Sequence, residues 1–244
     1  ELQEKANALK ARLDEKGMTK SRRITHHGRN ITGTQYSPDG TYIIYSRSSP
    51  IDGATVRRVN RDGSDDRHLV LDTYSPRFSF SQDGEQFYFS QSAINERFNS
   101  FNDLYRYEIK NGKFARLRDV DHPTTSLRAR SPDVSRDGKQ IVFVQNKLHQ
   151  NWITIGEFVP DKDNPKKLPT KMKLRTLIAP YGDMQHASPL FSPDGNSVVV
   201  STWFPGGHRD VIIVDAKSGE LKHRITNDMP LDGNPTWSHD GAYI

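Results

Sequence analysis

Histidine is the residue of this chain whose chemistry is most versatile. A neutral imidazole is the commonest protein ligand for metals, and it can also act as a general acid or base. The sequence places five histidines in loops: His26, His27, His122, His186 and His208. Lone loop histidines are usually solvated, whereas a metal site would need several of them brought together in space. We predict no metal site and no cofactor, although a cluster in space stays open.

Aspartate is the second chemical candidate, and it recurs in a fixed phrase of Ser, any residue, Asp and Gly. An Asp side chain in a turn accepts a hydrogen bond from backbone two residues on, and Gly adopts the positive φ that such turns need. We therefore interpret these aspartates as turn residues and not as calcium ligands. The pairs are Asp39 and Gly40, Asp83 and Gly84, Asp137 and Gly138, Asp194 and Gly195, and Asp240 and Gly241.

The common catalytic motifs are missing from the sequence. It has no Gly-x-Ser-x-Gly nucleophile elbow, no His-Glu-x-x-His zinc helix, and no phosphate-binding or dinucleotide-binding glycine loop. We therefore expect this chain to have no enzymatic activity of its own.

The turn phrases divide the chain into repeated units. Their glycines lie 44, 54, 57 and 46 residues apart, which is the period of a repeat architecture. A β-branched and aromatic run follows each of the first four turns, for example Ile141–Val144, as expected for a buried strand. A second hairpin then completes the unit, as at Asn111-Gly112. Four strands per unit predict an all-β fold, a β-propeller of four-stranded antiparallel blades.

The repeat resembles that of the TolB-like propeller family. The segments Pro189–Gly195 and Pro235–Gly241 match its Pro-x-aromatic-Ser-Pro-Asp-Gly pattern most closely. The resemblance covers about residues 22 to 244 and implies a six-bladed ring. Four blades are whole in the sequence and a fifth is partial, so we expect this propeller to be C-terminally incomplete.

Residues 1 to 21 differ from the repeats. Leu2, Ala6, Leu9 and Leu13 have helical spacing, which predicts a short N-terminal helix followed by a linker. Two interpretations stay open for this helix: it docks on the propeller, or it is the tail of a missing upstream domain.

One face of the predicted propeller carries the candidate binding residues. Loops after the outer strands and loops after the second strands emerge on the same side, because strands alternate in direction. Exposed aromatic and basic residues on loops are typical binding anchors. The alternative for Trp203 and the adjoining Phe204 is packing between blades. The candidates that we expect to converge near one mouth of the axis are Arg29, Tyr74, Arg128, Tyr181, His186, Trp203 and His208.

Composition narrows the functional classes. The chain has a formal net charge of +5, no cysteine and no apolar stretch long enough to span a membrane. The charge either serves solubility or favours an acidic partner, and no nucleic-acid motif accompanies it. The main hypothesis is a non-enzymatic scaffold of the bacterial cell envelope, in the periplasm, that binds a protein or peptide. The alternatives are the substrate-recognising or gating propeller of a multidomain peptidase and a propeller that binds a glycan or metal. The oligomeric state is not predicted.

Overall fold

The computed structural model describes residues 23–25, 30–49, 53–71, 73, 75, 77–94, 100–164 and 167–244. Seventeen strands and no helix occur in these residues. They form four sheets in which successive strands pair antiparallel, so the predicted all-β propeller of four-stranded blades is confirmed. The predicted N-terminal helix lies outside the described residues.

Blades one and two follow the simple order of the repeat, from the inner strand to the outer strand. Blade one contains β1 (Ile31–Tyr36), β2 (Tyr42–Ser49), β3 (Gly53–Asn60) and β4 (Arg67–Leu71). Blade two contains β5 (Phe78–Phe80), β6 (Gln86–Ile94), β7 (Ser100–Glu108) and β8 (Lys113–Arg116).

Blade three has an additional edge strand, which the sequence did not indicate. The two residues of β9 (Arg118–Asp119) pair in parallel with the start of the outer strand β13 (Lys171–Ile178). The main strands are β10 (Ala129–Val134), β11 (Gln140–Lys147), β12 (Gln150–Val159) and β13 (Lys171–Ile178), and blade four contains β14 (Gln185–Phe191), β15 (Ser197–Trp203), β16 (Arg209–Asp215) and β17 (Leu221–Arg224).

The hydrophobic core lies between neighbouring blades, because the central strands are buried on both faces. In β11, Ile141 and Phe143 pack toward blade two, while Val142 and Val144 pack toward blade four. All four side chains are fully buried. Burial of one such side chain contributes roughly 1.5–3 kcal/mol, so β11 holds blade three against both adjoining blades.

The turn phrase is built around its serine as well as its aspartate. In the first phrase, Ser37 Oγ donates to Asp39 Oδ1 (2.6 Å) and accepts from the Tyr42 N–H (3.1 Å), while the Thr41 N–H donates to Asp39 Oδ1 (3.1 Å). The other four phrases repeat these bonds. The Ser37 hydroxyl is the largest cause that lowers the pKa of Asp39. The φ angles of the five glycines lie between 68° and 74°, as the predicted turn requires.

The fifth unit contributes its turn without paired strands. Ser238 Oγ and Asp240 form the same hydrogen bonds as in the complete blades. The residues around this turn belong to no strand of the described sheets, so the predicted first hairpin of a fifth blade is represented by its turn alone. Trp237 packs against the cluster of Val199 in β15 and Val211 and Ile213 in β16.

Candidate functional site

A cleft of about 470 Å³ lies on the predicted binding face, next to the loop between β15 and β16. Two hydrogen bonds hold the connection between β13 and β14 against the β11–β12 turn. Gln150 Nε2 donates to the carbonyl of Gly182 (3.0 Å), and the Asn151 N–H donates to Gln185 Oε1 (2.9 Å). The cleft is therefore formed between blades three and four, and its lining consists of Asn151, Asp183, Gln185 and residues 203–207.

Two aromatic side chains of this cleft are each backed by a guanidinium group. The Arg209 guanidinium carbon lies 5.0 Å from the ring centre of Trp203, and that of Arg224 lies 4.4 Å from the ring centre of Phe204. Arg209 is itself held, because its Nε donates to the carbonyl of Asp232 (2.7 Å). Cation–π contacts of this kind contribute roughly 0.5–2 kcal/mol each, so they hold the rings in place at the cleft.

Phe204 packs between blades, as the alternative to a binding role predicted, and Trp203 does so less. Its half-buried ring packs against the core between blades three and four. Trp203, at the end of β15, is also half-buried and lines the cleft. A side chain with this partial exposure can contact a ligand with little rearrangement, which makes Trp203 the best anchor candidate of the predicted set.

The other predicted residues differ in position. Tyr181 is 85% exposed on the connection beside the cleft, and His208 is half-buried at the end of the β15–β16 loop. Arg128 is exposed and stacks on Phe101, with its guanidinium carbon 4.0 Å from the ring centre, and it does not line the cleft. Arg29 and Tyr74 lie outside the described residues.

His186 requires a correction, because the prediction placed it in a binding loop. It lies within β14, is 1% exposed, and its Nδ1 is 3.0 Å from Thr202 Oγ1. Burial lowers the pKa of His186 to about 4. Thr202 is fully buried as well, so this pair cannot meet a substrate at the surface.

A second cavity, of about 700 Å³, lies on the axis and was missed by the sequence interpretation. The inner strands line it, together with the variable second residues of the turn phrases. Counting two residues back from each turn serine gives a ring of side chains that face this cavity: Gln35, Ser79, Asp133, Leu190 and Thr236. This fixed offset of two residues before the turn serine is the sequence signal that could have predicted the residues lining the cavity.

Asp133 ties three inner strands together in this cavity. Its Oδ1 accepts from Ser79 Oγ (2.8 Å) in β5, and its Oδ2 accepts from the Phe191 N–H (2.8 Å) in β14. Burial raises the pKa of Asp133 to about 6, although these two bonds and the charge of Arg77 oppose the increase. The carboxyl group therefore changes charge close to neutral pH.

The histidines do not form a metal cluster in the described part of the chain. The one group of three close potential ligands there consists of aspartates: Asp210, Asp228 and Asp232. Within the described residues, no helix has the length and hydrophobicity that crossing a bilayer requires.

Comparison with solved structures identifies the fold. TolB from Acinetobacter baumannii superposes with a TM-score of 0.67 at 18% identity, over 89% of this chain and 48% of that chain. The fold is that of a TolB-like β-propeller. No protein-family model and no curated protein sequence matches the chain.

Enzymes share the same fold with this TolB-like propeller. Oligogalacturonate lyase in complex with manganese matches with a TM-score of 0.57 at 15% identity, over 90% of this chain and 59% of that chain. A prolyl endopeptidase matches with a TM-score of 0.53 at 15% identity, over 83% of this chain and 29% of that chain. The chain thus spans about half the length of the TolB structure, and identities this low carry the fold and not the activity.

Proposed function

We propose that this TolB-like propeller is a binding scaffold that holds an extended peptide or protein segment in the cleft beside Trp203. The observation that carries the proposal is the cleft itself, with an aromatic side chain positioned by a cation and partly open to solvent. Rigid aromatic anchors in concave sites dominate protein recognition, because they bury a large area at low entropic cost.

The partner that fits best presents an apolar side chain to this cleft. Trp203, Phe204 and Pro205 supply apolar surface, while Asp183, Asn151 and Gln185 supply polar groups at the rim. The net charge of +5 favours an acidic sequence around the anchor, through long-range attraction. We place this scaffold in the bacterial periplasm by analogy with the TolB family.

The proposed role requires no catalysis by this chain. The His186–Thr202 pair is buried. The group of three close aspartates, Asp210, Asp228 and Asp232, has no histidine among its members. We expect the purified chain to hydrolyse neither peptide nor ester substrates. Cleavage that is lost on mutation of a residue in this chain would contradict a purely binding role.

Peptide selection tests the binding proposal directly. The immobilised protein is panned against a random displayed peptide library, and the affinities of enriched peptides are measured by titration calorimetry. Trp203→Ala should weaken binding at least tenfold, whereas Phe114→Ala, which removes an exposed ring on β8, should leave it unchanged. Circular dichroism verifies that both variants fold.

A third variant separates this cleft from the axial cavity. Tyr36 is 51% exposed and lines the cavity on the axis. Selected peptides that lose affinity with Tyr36→Ala and keep it with Trp203→Ala would move the binding site to the axis and refute the cleft.

The runner-up function is a propeller that recognises or gates substrate for an attached peptidase. The structural similarity to a prolyl endopeptidase supports it, since this chain corresponds to only 29% of that protein. The coding sequence on both sides of this chain decides between the two roles: an adjoining peptidase domain would favour the runner-up.

A further inference from the structure

Blades two and four each place an aspartate in the first half of the third strand, directly before an apolar residue. Asp103 in β7 and Asp210 in β16 are both fully buried. Each forms an ion pair with an arginine of the neighbouring outer strand: Arg116 for Asp103 (2.5 Å) and Arg224 for Asp210. The two blades therefore offer a matched comparison of how one buried carboxylate is satisfied.

In blade two, Asp103 Oδ2 has the ion pair with Arg116 but no hydrogen bond among the described residues, whereas its second oxygen, Oδ1, is satisfied by neutral donors. Asp103 Oδ1 accepts from the Ser126 hydroxyl (2.9 Å) and from the Leu127 N–H (2.6 Å), both in the connection to blade three. Hydrogen bonds of this kind are what make a buried carboxylate tolerable.

In blade four, the matching donors are absent from the sequence. Ser126 and Leu127 lie nine and eight residues before the serine of the next turn phrase, and the same offsets from Ser238 give Met229 and Pro230. Methionine has no hydroxyl group, and proline has no N–H. Accordingly, the buried Asp210 Oδ1 has no hydrogen-bond partner among the described residues.

The connection after β17 lacks these two donors and carries two further carboxylates, Asp228 and Asp232. Oxygens of Asp210, Asp228 and Asp232 all lie within 4.8 Å of one another. The basic groups beside the cluster are already engaged, since Arg224 pairs with Asp210 Oδ2 and Arg209 donates to the backbone carbonyls of Leu231 and Asp232.

We propose that Asp210, Asp228 and Asp232 bind a divalent cation of the calcium class, which satisfies the orphaned oxygen of Asp210. Calcium takes oxygen ligands at about 2.3–2.6 Å, so its shell is about 5 Å across and can include three oxygens this close together. Asp228 is exposed, which leaves space for water molecules to complete the coordination. The ion would fasten the connection after blade four to β16, as Ser126 and Leu127 do in blade two.

The experiment measures calcium binding to the chelator-treated, dialysed chain by titration calorimetry. We expect saturable binding of one Ca²⁺ with a Kd on the order of 10⁻⁴ M, the range of extracellular modules. Magnesium should bind more weakly, because it demands a smaller and more regular octahedral shell. Thermal unfolding with and without calcium gives a second measurement, and calcium should raise the Tm.

The decisive variant is Asp228→Asn combined with Asp232→Asn, which leaves the buried Asp210 in place. It should weaken calcium binding at least tenfold and abolish the rise in Tm. The matched control is Asp121→Asn with Asp163→Asn, which removes the same charge from exposed positions of blade three and its preceding connection. If circular dichroism shows that the double variant is misfolded, Asp228→Asn alone replaces it, since that side chain is exposed.

Two results would overturn the site. Absence of a saturable calcium signal in the unmodified chain at millimolar CaCl₂ would refute the cation site. Equal calcium affinity in the aspartate variant and the control variant would place the ion elsewhere.

Discussion

Asp133→Asn tests whether the carboxyl group in the axial cavity makes folding stability depend on pH. The carboxyl group of Asp133 is held by Ser79 and by the Phe191 N–H, and burial raises its pKa to about 6. Asparagine has the same shape and keeps an acceptor for the Phe191 N–H, but it does not titrate. The variant therefore removes one pH-dependent contribution to folding with little change in packing.

The sign and size of that contribution follow from linkage. The folded state holds the proton with a pKa of about 6, whereas the ordinary pKa of an unperturbed Asp is 3.8. The folded state therefore binds the proton more tightly, and the contribution is fully present below the unfolded pKa and lost as pH rises through the folded pKa. Between about pH 4.5 and about pH 7.5 this loss amounts to about 2 kcal/mol, at about 1.36 kcal/mol per pKa unit.

Urea unfolding at the two pH values, followed by tryptophan fluorescence, measures the effect. The pH dependence of the unfolding free energy should differ between the unmodified chain and Asp133→Asn by about 2 kcal/mol. Other titrating groups cancel in this difference, and Asp163→Asn, at an exposed site, serves as the control. A difference below about 0.5 kcal/mol, or one of opposite sign, would refute the account of a buried carboxyl with a raised pKa.

Two further predictions concern a buried base and the turn glycines. Burial disfavours the charged form of His186 and lowers its folded pKa to about 4, so the unmodified chain should lose about 2 kcal/mol of unfolding free energy through this group between about pH 7.5 and about pH 5. His186→Asn should remove that loss, which urea unfolding at the two pH values measures. Gly195→Ala should cost about 1 kcal/mol, since φ is +74° and the space beside it is open, whereas Gly219→Ala should cost more, because the new Cβ would also overlap the carbonyl of Leu177; an equal cost in urea unfolding would contradict this.

The sequence predicted the scaffold because every blade repeats the same local chemistry. Turn type, strand composition and unit length are short-range properties, and all of them recur in register with the phrase. The role of the phrase serine was missed, even though Ser is present in all five phrases. Its hydroxyl joins residues five apart across the hairpin, as Ser37 does with Tyr42, so its function emerges only when the two strands pair.

The candidate site was predicted less well, because it depends on where strands begin and on what neighbouring blades bring together. His186 was predicted in a loop, but β14 already begins at Gln185, ahead of a register shift between Ala187 and Leu190. The positive φ of Ser188 accompanies this shift. The axial cavity was missed for a related reason, since Ser79, Asp133 and Phe191 are distant in sequence and meet only around the axis.

Differences between matched positions are the more informative part of a repeat such as this one. Positions that are the same in all units, such as the phrase serine, serve the turn and cannot distinguish one propeller from another. Two residues before that serine, the side chain varies from Ser79 to Asp133 to Leu190, and only Asp133 carries a charge that burial makes sensitive to pH. Met229 and Pro230 likewise remove donors that blade two supplies, and they leave Asp210 with an unsatisfied oxygen beside two more carboxylates. A buried polar group that one blade satisfies and another does not costs stability unless a proton, an ion or a partner compensates it. The most specific chemistry of this scaffold therefore lies at the positions whose residues differ between matched blades.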